Sequence, residues 1–311
     1  MNAVLTIAGS DSSGGAGIQA DLKTICAHQL FGESVITALT AQNTTGVFGV
    51  ADVDPAFVGQ QIDAVFEDIR PDAVKVGMVS SPVIVRAIAD GLRRHGARNI
   101  VVDPVMVATS GSALIADAAV DALVAELFPL ATVVTPNIPE AEVLAGMAIA
   151  DASDVERAAE LIAKRCLAAV ETTADMEAYD ATVPSAADDV PEGEGSGASD
   201  EAGHGPLAVP AILIKGGHGV GEGDTADDYL RLSRGEHVWL RGPWVTTANT
   251  HGTGCSLSSA IACNLAQGFA VDVAVREAKA YVAGALADGL DLGRGSGPLN
   301  HMWRYTGPVP C

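Results

Sequence analysis

The run Gly252-Thr253-Gly254-Cys255 leads straight into an Ala- and Ser-rich stretch. Successive backbone N–H groups at a helix start, with glycines allowing close approach, form a hole for an anion. A phosphoryl group in transfer spreads negative charge over its equatorial oxygens, and fixed N–H dipoles stabilise that charge as it develops. The same positive field is expected to lower the Cys255 thiol pKa. The bland reading is a glycine-rich helix start with a buried cysteine. Lys215 ends an apolar run and precedes two glycines, so it can reach a triphosphate as a point charge. Asn137 and Glu140 stand three residues apart around Pro139. That spacing suits an ATP-bound Mg2+ that keeps several waters and takes one or two protein oxygens. Equally, Asn137 is an N-cap and Glu140 completes a capping box.

A second glycine-rich loop, residues 9–17, carries Asp11 and is followed by Asp21. It is either a tight strand-to-helix turn whose carboxylates cap or solvate the helix, or a ligand loop. It is not G-x-G-x-x-G, and no G-x-x-x-x-G-K-[ST] occurs in the chain, so a dinucleotide fingerprint and a P-loop are not supported.

These groups need a scaffold that gathers them. Short β-branched runs at 4–8, 34–40, 74–77, 100–103, 132–135 and 211–215 alternate with helical spacing at 18–30, 55–69, 82–95 and 118–128. Such alternation predicts βαβ units and a mainly parallel sheet with helices on both faces. Residues 228–232 and 237–240 read as a hairpin at a sheet edge. Two Ala-rich helices are expected at 255–267 and 271–286. In open parallel sheets ligands bind beyond the carboxyl ends of the strands. The loops there are the polar ones: 9–17, 41–44, 77–78, 103–106, 135–140, 215–218 and 249–255.

Composition sets the limits. The chain has 311 residues, 48% hydrophobic but only 4% aromatic, which suits aliphatic strands buried between helices. No uncharged apolar run approaches a membrane span of ~18 residues. Residues 1–9 hold no basic residue, so no secretory signal is read and a cytoplasmic location is expected. The formal charge is −21, with 39 acidic against 18 basic residues, and a surface this acidic disfavours nucleic acid and anionic lipid as partners. Only five of the basic residues are lysines, a pattern that suits a protein kept in concentrated salt, where screening suppresses self-repulsion. Five widely spaced cysteines without a C-x-x-C pair argue for reduced thiols rather than a disulfide framework or a zinc site. Segment 167–206 holds ten acidic and no basic residues, without sustained periodicity. It reads as a disordered surface insertion after a helix ending near Cys166, within a single domain spanning 1–311.

Taken together, these segments resemble the ribokinase-like superfamily and, within it, the hydroxymethylpyrimidine/phosphomethylpyrimidine kinases of thiamine biosynthesis. The resemblance rests on residues 8–23, on Thr37-Ala38-Leu39-Thr40-Ala41-Gln42-Asn43-Thr44, and on Asp103-Pro104-Val105-Met106. It continues in Thr135-Pro136-Asn137 with Pro139-Glu140-Ala141, in Asn249-Thr250-His251-Gly252-Thr253-Gly254-Cys255, and in Gly297-Pro298-Leu299-Asn300-His301. It covers nearly all of the chain except 167–206. It implies a three-layer sandwich and two ATP-dependent phosphorylations, of 4-amino-5-hydroxymethyl-2-methylpyrimidine and then of its monophosphate. By the same resemblance Gln42 holds the aminopyrimidine, and Gly9, Asp21, Met78 and Val105 line its pocket. Cys255 is the implied base beside the anion hole of Gly252, Thr253 and Gly254. Asn137 and Glu140 would organise Mg2+, with Asp103 nearby, while Lys215, Thr250 and Lys279 approach ATP. A homodimer is the expected assembly. The rival readings are a pyridoxal-type kinase of the same superfamily and a silent pyrimidine-phosphate sensor.

Overall fold

The computed structural model describes residues 1–106, 117–180, 209–216 and 225–305, with backbone alone at 117 and 173–180. Among the described residues nine strands form one sheet: β1 (Ala3–Asp11), β2 (Phe31–Asn43), β3 (Gly46–Asp52), β4 (Ala73–Val76), β5 (Ile100–Val102), β6 (Val133–Val134), β7 (Ala211–Ile214), β8 (Asp228–Arg231) and β9 (His237–Leu240). Their order is β3-β2-β1-β4-β5-β6-β7-β8-β9. The six from β2 to β7 run parallel, and antiparallel strands close both edges.

Neighbouring residues on a strand point to opposite faces, and here both faces are buried. Leu5, Val102, Val134 and Ile214 face one core; Val4, Val101, Val133 and Leu213 face the other. Helices α2 (Pro55–Phe66), α3 (Pro82–Arg94), α4 (Asp117–Ala122), α5 (Ile138–Ala145) and α6 (Ala152–Asp180) contribute to the first core. Helices α1 (Gly17–Ala27), α7 (Thr253–Ala266) and α8 (Val271–Ala287) cover the second. The predicted α/β sandwich is thus observed.

Four details differ from expectation. The predicted helix at 118–128 is helical only to Ala122 and then passes through a π turn and a 3₁₀ turn to Leu130. Gln42, read as a loop residue, lies within β2, whose last residues pair with the unforeseen strand β3. β3 is the edge strand of the sheet, and its side chains are mostly exposed, so it lacks the buried alternation that betrays a strand. Third, α6 does not end near Cys166 but continues to Asp180, so the acidic segment begins as helix. Its remainder, 181–206, lies outside the described residues, as do Gly217, His218 and Cys311. The fourth concerns Asp21 and belongs to the site.

Candidate active site

One cleft of about 1300 Å³ opens beyond the carboxyl ends of the parallel strands. It collects Gly9 from β1, Gln42 from β2, Met78 after β4, Asp103 and Val105 after β5, and Asn137 with Glu140 after β6. Lys215 enters after β7, and Thr250, Gly252, Thr253, Gly254 and Cys255 come from the start of α7, with Lys279 from α8. Every site residue expected from the sequence lines this cleft except Asp21.

Asp21 is fully buried beneath it. Its carboxylate takes the Lys75 ammonium at 2.8 Å and accepts from the hydroxyls of Thr6 (2.6 Å) and Ser259 (2.7 Å). The physical reason is direction. Asp21 belongs to the face of α1 that packs on the sheet, so its charge is met by a lysine on β4 rather than by a ligand.

The two glycine-rich turns pack against each other. Gly252 has φ +87°, and a Cβ there would stand 2.0 Å from the Gly15 carbonyl oxygen. A Cβ on Gly254 would sit 3.4 Å from Lys215 Nζ and 3.5 Å from Asp103 Oδ2. The missing side chains let the start of α7 approach both loop and ion pair. A helix leaves its first N–H groups without helical partners. Gly254 and Cys255 therefore offer theirs at the cleft that they line.

Lys215 Nζ binds Asp103 Oδ1 at 2.7 Å, and that oxygen also accepts from Thr135 at 3.0 Å. Burial opposes both charges, but each outweighs it for the other. Lys215 stands above its ordinary pKa and Asp103 below. Burial pushes the Glu140 carboxyl up, with Asp103 adding to the rise and Lys215 opposing it.

Asn137 and Glu140 form the capping box that the sequence left open. Asn137 Oδ1 accepts from the Glu140 N–H at 2.9 Å, and Glu140 Oε2 from the Asn137 N–H at 2.8 Å. Capping does not exclude a ligand role, because each oxygen keeps a lone pair and both residues line the cleft. At the far end Lys279 bonds Asp228 at 2.5 Å and the Ala226 carbonyl at 2.6 Å.

Cys255 corrects an expectation. Its thiol is pushed up to about 11, not lowered. Burial is the main cause and the Asp21 and Asp103 carboxylates add to it; Lys75 and the Gly17 N–H oppose. Desolvation of a thiolate outweighs the dipole of one helix end.

The sequence leaves Asp11 either capping the turn or serving a ligand loop, and gives His251 no role. Asp11 accepts from the N–H groups of Ser13 (2.8 Å), Gly15 (3.1 Å) and Ala16 (2.8 Å), and lies 2.8 Å from His251 Nε2. Burial opposes its charge, but the donors hold the carboxyl well below its usual range. The aspartate directly ahead of Ser-Ser-Gly-Gly was the available signal for this turn. Nothing local marks His251, which meets Asp11 across 240 positions. Residues 241–247, which line the far end of the cleft with Arg276, were also missed, since they form neither helix nor alternating strand.

The glycine-rich start of α7, Lys215 and Lys279, gathered in one cleft beyond the carboxyl ends of this sheet, fit a small-molecule phosphotransferase of the ribokinase-like class. A sequence model of phosphomethylpyrimidine kinases matches residues 11–185 and 198–300. The chain belongs to the phosphomethylpyrimidine kinase family. It is 46% identical over 309 residues to a hydroxymethylpyrimidine/phosphomethylpyrimidine kinase of Rhizobium meliloti, covering 97% of each chain. It is 44% identical over 299 residues to the thiamine biosynthesis bifunctional protein ThiED of Geobacter sulfurreducens, covering 96% of this chain and 52% of that longer one. Among solved structures it resembles the pyridoxal kinase of Staphylococcus aureus in complex with AMP-PCP and pyridoxal, with TM-score 0.76, 28% identity, and 98% and 95% of the two chains covered. The family match leaves out only 186–197 within the acidic segment, so the part without a counterpart is shorter than the 167–206 expected.

Proposed function

We propose that the protein transfers the terminal phosphoryl group of ATP to the hydroxyl of 4-amino-5-hydroxymethyl-2-methylpyrimidine, and then phosphorylates the monophosphate to the diphosphate for thiamine biosynthesis. One observation carries the reading: a single cleft holds Gln42 together with the turn Gly252–Cys255, Lys215 and Lys279. An amide donates and accepts at once, which matches an amino group beside a ring nitrogen. The N–H groups of Gly254 and Cys255 would meet the charge that grows on the transferring phosphoryl group, with Lys215 reinforcing them. Positioning and this anion hole supply most of the acceleration. Cys255, un-ionised at rest, takes the substrate proton only in its thiolate fraction and adds a smaller general-base factor of roughly 10²–10⁴.

Mg2+ bound to ATP supplies charge neutralisation on the triphosphate. Asn137 and Glu140 fit it as two oxygen donors acting partly through water. Among the described residues no group of three or more His, Cys, Asp or Glu side chains could hold a metal ion; an ion that keeps several waters and takes phosphate oxygens would need only these two donors.

Pyridoxal is the runner-up acceptor. The identity of 46% to a pyrimidine kinase against 28% to a pyridoxal kinase favours the pyrimidine. The deciding experiment follows ADP release with the hydroxymethylpyrimidine, its monophosphate and pyridoxal side by side in high KCl. Faster turnover of pyridoxal than of either pyrimidine overturns the assignment.

Three finer readings accompany it. The charge of −21 and the five lysines support a protein adapted to molar salt; an unfolding midpoint that does not rise from low to molar KCl counts against it. Leu39, Phe48 and Val50 are exposed on the β2–β3 ribbon at the sheet edge, which supports a homodimer joined there. A sedimentation mass of one chain, 31.6 kDa, counts against that. A cytoplasmic location accords with an ATP-using reaction and with the absence, among the described residues, of any helix long and apolar enough to cross a membrane.

A further inference from the structure

Asp11 and His251 are 3% and 5% exposed, at the wall beside Gln42. Asp11 Oδ1 accepts from Ser13 N (2.8 Å) and Ser13 Oγ (2.7 Å), while Oδ2 accepts from Gly15 N (3.1 Å) and Ala16 N (2.8 Å). His251 Nε2 lies 2.8 Å from the same Oδ2. An ionised carboxylate offers only lone pairs, so Nε2 carries a proton and donates it to Asp11.

That proton constrains the next side chain. The Gln42 amide has one head 3.3 Å from His251 Nε2 and the other 3.2 Å from Thr40 Oγ1. The structure has the nitrogen toward His251 and the oxygen toward Thr40, but the two heads are nearly equal in size and only the proton inventory distinguishes them. A ring nitrogen that donates cannot accept, so the head beside His251 must be the amide oxygen. Thr40 Oγ1 lies nearer the Ser10 carbonyl, at 2.9 Å, than the Gln42 amide at 3.2 Å, so we assign its one hydroxyl proton to Ser10. It therefore has only lone pairs for Gln42, and the head beside it must be the NH₂ group. Both neighbours require the same orientation.

We infer that the buried Asp11–His251 pair locks the polarity of the Gln42 amide, oxygen toward His251 and NH₂ toward Thr40, and so dictates which way round the pyrimidine edge docks. The inference rests on the pyrimidine-kinase reading above and names what enforces its specificity. In this polarity the substrate's amino group donates to Oε1, and its adjacent ring nitrogen accepts from Nε2–H. A ring turned over would meet donor with donor and carry its hydroxymethyl group to the opposite side. A 4-oxo analogue presents the reversed edge, a carbonyl acceptor beside an N–H donor, and is rejected because two buried pairs go unmade. His251 and Asp11 are positioning residues that act through Gln42.

The test compares kcat/KM for the 4-amino substrate and its 4-oxo analogue. Wild-type protein should prefer the amino ring by on the order of 10²-fold. His251→Ala should narrow that ratio roughly tenfold, about the worth of one hydrogen bond, while KM for ATP stays within about twofold. His251→Phe keeps the ring's bulk without its N–H and should narrow the ratio likewise, which covers the case in which the alanine variant does not fold. In a Gln42→Ala background the same His251 changes should alter kcat/KM by less than about twofold, because residues acting as one unit are not additive. A ratio unmoved by both His251 variants, or a second full loss on top of Gln42→Ala, overturns the inference. Absence of turnover of the amino ring by wild-type protein instead overturns the function reading itself.

Discussion

Two lysine–aspartate pairs lie near the carboxyl edge of the sheet. Lys75–Asp21 is sealed, with neither side chain exposed, and hydroxyls of Thr6 and Ser259 take up the remaining carboxylate capacity. Lys215–Asp103 has the same chemistry and a similar distance, 2.7 against 2.8 Å, but its lysine keeps 15% of its surface and faces the cleft. The sealed pair ties α1 to β4; the open pair lies beside the start of α7. Charge type and distance alone do not separate architecture from chemistry. Access does.

The largest effect that would break this comparison is on the sealed pair. Lys75→Met should cost about 3–5 kcal/mol in denaturant unfolding, since it strands a buried carboxylate, and adding Asp21→Asn should recover much of the loss. A Lys75→Met protein within about 1 kcal/mol of wild type would show that the pair is not structural. Lys215→Met, at the open pair, should instead lower kcat/KM by on the order of 10²-fold, as removal of an electrostatic donor does, while changing stability less than Lys75→Met does. Equal losses of stability would erase the distinction.

Cys255 lies close enough to both pairs to sense their charges, and its pH behaviour sharpens the contrast. With the thiol pushed up to about 11, mainly by burial, the thiolate fraction climbs about tenfold per pH unit below that value. If thiolate is the base, kcat rises from pH 7 to 10 in wild type and is flat in Cys255→Ala, at roughly 10²–10⁴-fold lower. A flat wild-type profile removes the base and leaves the anion hole as the chemistry.

The smallest effect comes from a buried carboxylate whose charged neighbours are other carboxylates. Among the described residues Glu33 Oε2 is buried without a hydrogen-bond partner, and its pKa is raised to about 7 by burial and then by Asp68 and Asp72. The folded value exceeds the unfolded one, so the penalty is absent below the unfolded pKa near 4.5 and complete above about 7. Glu33→Gln should therefore leave Tm unchanged at pH 4.5 and raise it at pH 8, by roughly 2 °C. A rise of equal size at both pH values would show that charge is not the cause.

Much of the architecture was readable in the chain because it follows local rules. Short β-branched runs marked the six parallel strands, and glycines before a small-residue stretch marked the start of α7 that lines the cleft. What escaped notice depends on neighbours distant in sequence. The ribbon strand β3 carries no buried face to announce it. Asp21 has the residue type of a pocket ligand, and only its position on the sheet-facing side of α1 makes it half of an internal ion pair. His251 acquires its partners from residues 11 and 42, which no spacing rule connects to it.

By itself, the order of residues determined the alternation of strands and helices, the polar loops at one sheet edge, and the chemical kinds of group available there. Those are properties of backbone preference and side-chain type, which act over a few residues. Which lysine–aspartate pair opens on a ligand-sized cleft and which is sealed, and whether Cys255 rests as thiol or thiolate, were decided only on folding. Dielectric and hydrogen-bond partners are set by what packs around a group, and in this molecule the packing comes from segments as far apart as β1 and α7.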